Sequence, residues 1–272
     1  MLRSVDEIIG YKLHADNQDF GTCEDVLFDD QWWTVRHIIA NTGSWLIGKM
    51  VLVSPIMIDQ PDWKTRSLYL SISKEALENC PAPSADEPVS REHEKKMYRY
   101  YGYPFYWAGP GLWGQAAYPA AVGTMTTDPP PAAEADDLDE SESDSALENH
   151  LRSFKKVKGY FIKASDGDIG HVEDFILDDD TWALRYVVVD TRNWLPGGKK
   201  VLLSLHWVKS IHWLDSTFEM DLTTQAIKDG PEFDPRKPVN QEIETQLYDY
   251  YGRPFEKTID KAIQRHIANP FV

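Results

Sequence analysis

The chain has little of what would mark a secreted, membrane-spanning or nucleic-acid-binding protein. Cysteine is nearly absent: Cys23 and Cys80 are the only two in 272 residues. That is too few for a disulfide framework, so reduced thiols and a cytoplasmic compartment are expected. No run approaches the roughly 20 apolar residues that span a bilayer. The opening MLRSVDEIIGYK also lacks the apolar core of a signal peptide. A soluble chain with no transmembrane segment is therefore expected. Clustered Lys and Arg are missing as well, against a formal net charge of −16. Phosphate backbones need such clusters, so no direct nucleic-acid binding is expected. Nine of the acids, and no base, fall between Thr127 and Asn149, which leaves an ordinary acidic balance elsewhere.

What the chain does have is a repeat. Gly21 to Ser54 returns as Gly170 to Ser204, and fifteen of the 34 positions in the first copy are identical once one extra glycine, Gly197-Gly198 against Gly48, is allowed. Flanking matches extend the unit to about 105 residues. Leu2-Arg3-Ser4 matches Leu151-Arg152-Ser153, and Tyr100-Tyr101-Gly102 matches Tyr250-Tyr251-Gly252. The resulting division is residues 1–106, an acidic Pro/Ala-rich linker over 107–149, and 150–272. Within the linker Trp107, Trp113 and Tyr118 are candidates to dock locally. Lys257–Ile267 reads as one more short helix.

Each copy reads as strands followed by helices. Short strands are expected near Tyr11–Ala15, Val26–Phe28, Trp33–Ala40, Lys49–Ser54 and Ser67–Leu70, with an Asp/Asn/Gly turn at Asp16–Gly21. Ser73 and Thr223 are expected to cap one helix. Ser90 and Asn240 cap a second that stops at Gly102 or Gly252 and carries Met97, Tyr98 and Tyr101 on one stripe. The fold class is thus mainly β with helical appendages, two small barrels or sandwiches in tandem.

The quoted stretches resemble the PRC-barrel family. The resemblance is carried by Gly21 and Gly170, read as turn glycines, and by Glu24-Asp25 and Glu173-Asp174. Asp29-Asp30 and Asp178-Asp179, and Trp33 with Arg36 and Trp182 with Arg185, also carry it. So do the Thr-x-x-Trp-Leu-x-Gly segments that end in Val-Leu-Val-Ser or Val-Leu-Leu-Ser. The resemblance implies two strongly bent PRC-type β-barrels and a role in binding and assembly. It is the role the barrel plays in the cytoplasmic part of the photosynthetic reaction-centre H subunit and in a ribosome-maturation factor. The expected partner is a protein not identified by the sequence, and the two like copies are expected to pack as a pseudo-twofold pair within the chain. A reaction-centre-like or membrane-complex-associated factor and a metal-responsive regulator are the alternatives.

Candidate chemistry is sparse. The acidic turns offer oxygen ligands to Ca²⁺ or Mg²⁺, but the interleaved Asp-x-Asp-x-Asp-Gly pattern is missing, so no metal site is assigned. The eight histidines share no position between copies, and neither Ser54 nor Ser204 sits in a nucleophile elbow. No catalytic residue, cofactor or enzymatic activity is expected. Trp33 and Trp182 read as core residues, with Arg36 and Arg185 paired across the sheet to Glu24-Asp25 and Glu173-Asp174. Trp45-Leu46 and Trp194-Leu195-Pro196 lie in turns and either plug the barrel end or form an interaction surface. A local function is expected where the copies differ, as at Ile47 against Pro196-Gly197-Gly198, or along the linker.

Overall fold

The computed structural model describes residues 1–46, 50–81, 89–123, 150–192 and 197–254. It is mainly β, with two seven-stranded sheets and short helices. The chain divides into two compact units. One holds the first sequence copy, from Ile9 to Leu151. The other joins Met1–Ile8 to the described residues from Arg152 to Pro254.

In the first-copy unit the strands are β2 (Lys12–Ala15), β3 (Gln18–Asp29), β4 (Thr34–Asn41), β5 (Val51–Val53), β6 (Ile58–Asp62) and β7 (Ser67–Leu70). They lie in the order β5-β4-β3-β2-β7-β6, and a seventh strand, β8 (Leu151–Ser153), pairs with β3. The second-copy strands are β9 (Phe161–Ala164), β10 (Gly167–Asp178), β11 (Leu184–Asp190), β12 (Lys200–Ser204), β13 (Val208–His212) and β14 (Thr217–Met220). Their order, β12-β11-β10-β9-β14-β13, is the same, and here the seventh strand is β1 (Leu2–Ser4) on β10. One pairing in each sheet is parallel, β2 with β7 and β9 with β14.

The twelve-residue strands explain why a seventh is needed. β9 covers only residues Gly167 to His171 on one side of β10, and β1 covers Ile176 to Asp178 further along. Without β1 that stretch would be an open edge with unpaired backbone groups. The helix α1 (Val5–Ile8) follows β1 and buries Val5 and Ile8. The N-terminal eight residues therefore belong to the second-copy unit, away from the copy to which sequence matching joins them.

Apolar alternation supplies each core. Leu13, Phe28, Val35, Ile38, Val53 and Leu68 are buried in the first-copy unit, and Ile162, Phe175, Leu177, Val187, Leu203 and Phe218 in the second. The short helices α4 (Pro119–Gly123) and α5 (Phe154–Val157) lie between two matched pairs. The helices α2 (Lys74–Asn79) and α3 (Arg91–Tyr101), and their counterparts α6 (Thr224–Asp229) and α7 (Gln241–Tyr251), begin as the sequence predicts. Ser73, Ser90, Thr223 and Asn240 each accept a backbone N–H two or three residues into the helix. Gly102 and Gly252 stop α3 and α7 at φ of 69° and 60°.

Gly21 and Gly170 are not turn residues. The tight turn is Asp16-Asn17, and β3 has already resumed at Gln18. Glycine is required because a Cβ would stand 2.3 Å from the Asn41 carbonyl oxygen, or 2.4 Å from that of Asp190, on the neighbouring strand. The strands β1, β6 and β13 were not expected from sequence. β4 begins at Thr34, which leaves Trp33 in the preceding turn.

Candidate functional site

In each Glu-Asp pair the aspartate is buried; Glu24 is exposed and Glu173 half-buried. A register shift between Val172 and Asp174 puts Glu173 on the bulge. Asp174 is 9% exposed and accepts from Ser4 Oγ at 2.5 Å, from the Asp6 N–H at 3.0 Å and from the Phe175 N–H at 2.7 Å. Burial raises its pKa to about 6, and these three donors oppose the rise. In the first copy Asp25 is likewise buried and caps the Val26 N–H, while Glu24 points outward.

Arg36 and Arg185 do not pair with these acids. Arg36 is fully buried, bonds Asp29 at 3.2 Å and the Leu112 carbonyl at 2.6 Å, and lies 4.1 Å from the Tyr106 ring centroid. Arg185 takes the equivalent Asp178 at 3.8 Å and Glu244 at 3.3 Å. The hairpin register is the reason. Asp25 faces Ile39 and Asp29 faces Thr34, so Arg36 stands near the Asp29 end. Trp33 and Trp182 hold left-handed φ of 51° and 59° at that same end. Trp182 is buried, but Trp33 is half-exposed and stacks on Phe28 at 5.6 Å.

A helical glutamate completes each network, and sequence reasoning passed over it. Glu94 on α3 is buried and gathers His37 Nε2 at 2.8 Å, Arg91 at 3.0 Å and the Tyr106 hydroxyl at 3.0 Å. Its counterpart Glu244 receives the Tyr186 hydroxyl at 2.6 Å. The signal was available: the two glutamates recur 150 residues apart, one turn before the apolar stripe. Residues 107–123 bear on this network too, because Leu112 and Trp113 are buried over Arg36. Trp107 is half-exposed and Tyr118 is exposed. The rest of the acidic segment, 124–149, lies outside the described residues.

Trp45 and Leu46 are half-exposed. Trp45 meets the Phe20 ring edge at 6.0 Å, and Lys74 Nζ sits 4.5 Å from its centroid. Trp194, Leu195 and Pro196 lie outside the described residues, as does the tail beyond Pro254.

The second-copy unit carries a charged surface concavity of about 570 Å³ beside β12. Loop 231–239 runs beside the edge strand β12, pinned by the Phe233 N–H to the Lys200 carbonyl at 2.8 Å and by a bridge between Val201 and Glu232. Between loop and strand the walls carry Arg192, Lys199, Lys200, Arg236 and Lys237 against Glu232 and Asp234. Nearby, His171, Glu173 and Asp190 bring one ligand atom each within 4.8 Å of one another. Both carboxylates already hold cations, however. Lys200 bonds Glu173 at 2.8 Å, and Arg192 chelates Asp190 and lowers its pKa to about 2. In the cluster Asp178-Asp179-Asp180, Arg3 bonds Asp179 at 2.7 Å. These carboxylates are engaged as structural ion pairs.

No helix among the described residues is long and apolar enough to cross a membrane. No curated protein matches the chain. The family model of the PRC-barrel domain matches residues 162–218, from the second residue of β9 to the second residue of β14. The chain thus contains a PRC-barrel domain, over residues 162–218.

Proposed function

We propose that the chain is a non-catalytic PRC-barrel protein that acts in the cytoplasm as an interaction and assembly module. The first-copy unit is a second barrel of the same type. The observation that carries this reading is the PRC-barrel match over the sheet that bears the charged concavity. It is supported by the use of the buried polar groups. Arg36, Glu94, His37 and Asp174 spend their hydrogen bonds on holding strands, helix and loop together. Trp45 and Leu46 add a half-exposed apolar surface on the first-copy unit.

The test is capture of the tagged full chain from its native cells after brief cross-linking, with native mass spectrometry of the product. One protein recovered in constant ratio to the chain is the expected result. Recovery of the chain alone, across growth conditions, would overturn the reading. A thermal shift with Ca²⁺, Mg²⁺ and Zn²⁺ separates the metal-responsive alternative, because a ligand that binds only the folded state raises the melting temperature.

A further inference from the structure

We propose that the concavity between β12 and loop 231–239 docks an acidic peptide segment of a partner protein; this deepens, and rests on, the reading of the chain as an interaction module. Its walls carry five cations and two acids, in a chain whose formal net charge is −16. Lys200 is paired with Glu173, Arg192 with Asp190, and Lys199 bonds the Gly230 carbonyl, which leaves Arg236 and Lys237 as the cations most open to a ligand. The fold does not require that charge. At the positions that align with Arg236-Lys237 the first copy has Asp86-Glu87. It has Met50 for Lys200 and Gly43 for Arg192. The same strand order forms in both copies, so these basic residues are an addition to the second.

One of the cations is available at low cost. Arg236 is 89% exposed and is held only by Asp234, two residues away. An exposed pair of this kind contributes little, and an incoming carboxylate can replace it with small loss. Arg192 is 57% exposed but bound to Asp190, whose side chain is only 4% exposed, so it adds positive charge to the wall while staying in that pair. Among the described residues Lys237 Nζ makes no hydrogen bond or close ion pair, and its charge acts on Asp234 only from a distance. Phe233 and Pro235 supply an apolar wall between the charges. A ligand with carboxylates and interspersed aliphatic side chains therefore fits better than a bare phosphate chain. Net charge argues the same way. At physiological salt screening confines attraction to about 8 Å, so a short acidic segment feels the local patch, whereas a long polyanion also meets the acidic surface around it.

The experiment uses the full chain and a fluorescein-labelled acidic peptide of alternating Glu, Asp and Leu, followed by anisotropy. Controls are the same peptide with Gln and Asn in place of the acids, a labelled single-stranded oligonucleotide, and the variant R236E/K237E. That variant introduces the acidic charge the first copy has there. The expected result is saturable binding of the acidic peptide that weakens with salt and falls about tenfold or more in the variant, whose melting temperature is unchanged. Four outcomes would overturn the assignment. They are equal binding of the neutral peptide, no effect of the variant, tighter binding of the oligonucleotide, or binding that appears only after residues 127–149 are deleted. The last would give the site to the chain's own acidic tract. If R236E/K237E leaves cellular capture of a partner intact, the concavity is wrong but the interaction module stands.

Discussion

Ser4 Oγ donates a 2.5 Å hydrogen bond to Asp174 Oδ2, 170 residues further along the chain. The bond fastens the N-terminal strand to the sheet that contains the PRC-barrel match. Ser4 Oγ also accepts from the Glu7 N–H, so one hydroxyl joins strand, helix start and buried carboxylate. Replacing it should loosen all three. Ser4→Ala is expected to cost roughly 1–3 kcal/mol, as for hydrogen bonds to charged groups. Hydrogen exchange should show it first as faster exchange along Ile176–Asp178, with the first-copy sheet unaffected.

Asp174 gives the second-copy unit a pH dependence of unusual sign. Its pKa is about 6 in the fold and 3.8 without it, so between those values the folded state binds more protons than the unfolded one. Stability from this group is full below about pH 4 and is lost as pH rises toward 6, by about 3 kcal/mol in all. Asp174→Asn cannot ionise. Urea midpoints measured across this window should fall with pH more steeply in the parent than in the variant; parallel curves would remove the assignment.

Arg36 and Arg185 are equivalent in sequence but not in environment. Arg36 is 1% exposed and Asp29 is buried with it, whereas Arg185 and Glu244 each retain 12%. Arg36→Met leaves a buried carboxylate without its cation and should cost about 3–5 kcal/mol. Arg185→Met should cost clearly less. Chemical denaturation of the two variants compares them directly, and equal losses would contradict the difference in burial.

Gly170→Ala places a methyl group 2.4 Å from the Asp190 carbonyl oxygen, which is backbone and cannot swing aside. Moving the strand to relieve it should cost roughly 1–3 kcal/mol or more. Gly21→Ala should behave alike in the first copy, against the Asn41 carbonyl. Gly159→Ala is a useful contrast, since nothing lies within 4 Å and only its φ of 94° is strained.

Much of this molecule was legible in the sequence because local rules govern it. Helix caps at Ser73, Ser90, Thr223 and Asn240, the stops at Gly102 and Gly252, and the alternating strand β4 all follow from residues within a few positions of each other. The misreadings concern distance. Nothing local says that Leu2-Arg3-Ser4 pairs with β10, because a three-residue strand carries no periodicity. Arg36 was assigned to the nearer-looking acids because hairpin register is invisible until the turn is placed, and the turn sits at Trp33 in an αL conformation unusual for a large side chain. Glu94 was overlooked because a glutamate on a charged helix ordinarily faces water. The basic concavity is another place where the copies differ, at loop 231–239, while Pro196 lies outside the described residues.

Completion of the second-copy sheet by the chain's own N-terminal strand is tested most directly by a single cut. A protease site placed within residues 124–149 separates a fragment that carries β1 from one that carries β10. Because β1 fills the open half of β10 and Val5 and Ile8 are buried behind it, the two fragments should elute together in native buffer and part only in denaturant. Two fragments that separate without denaturant, each folded by circular dichroism, would contradict the exchange of strands.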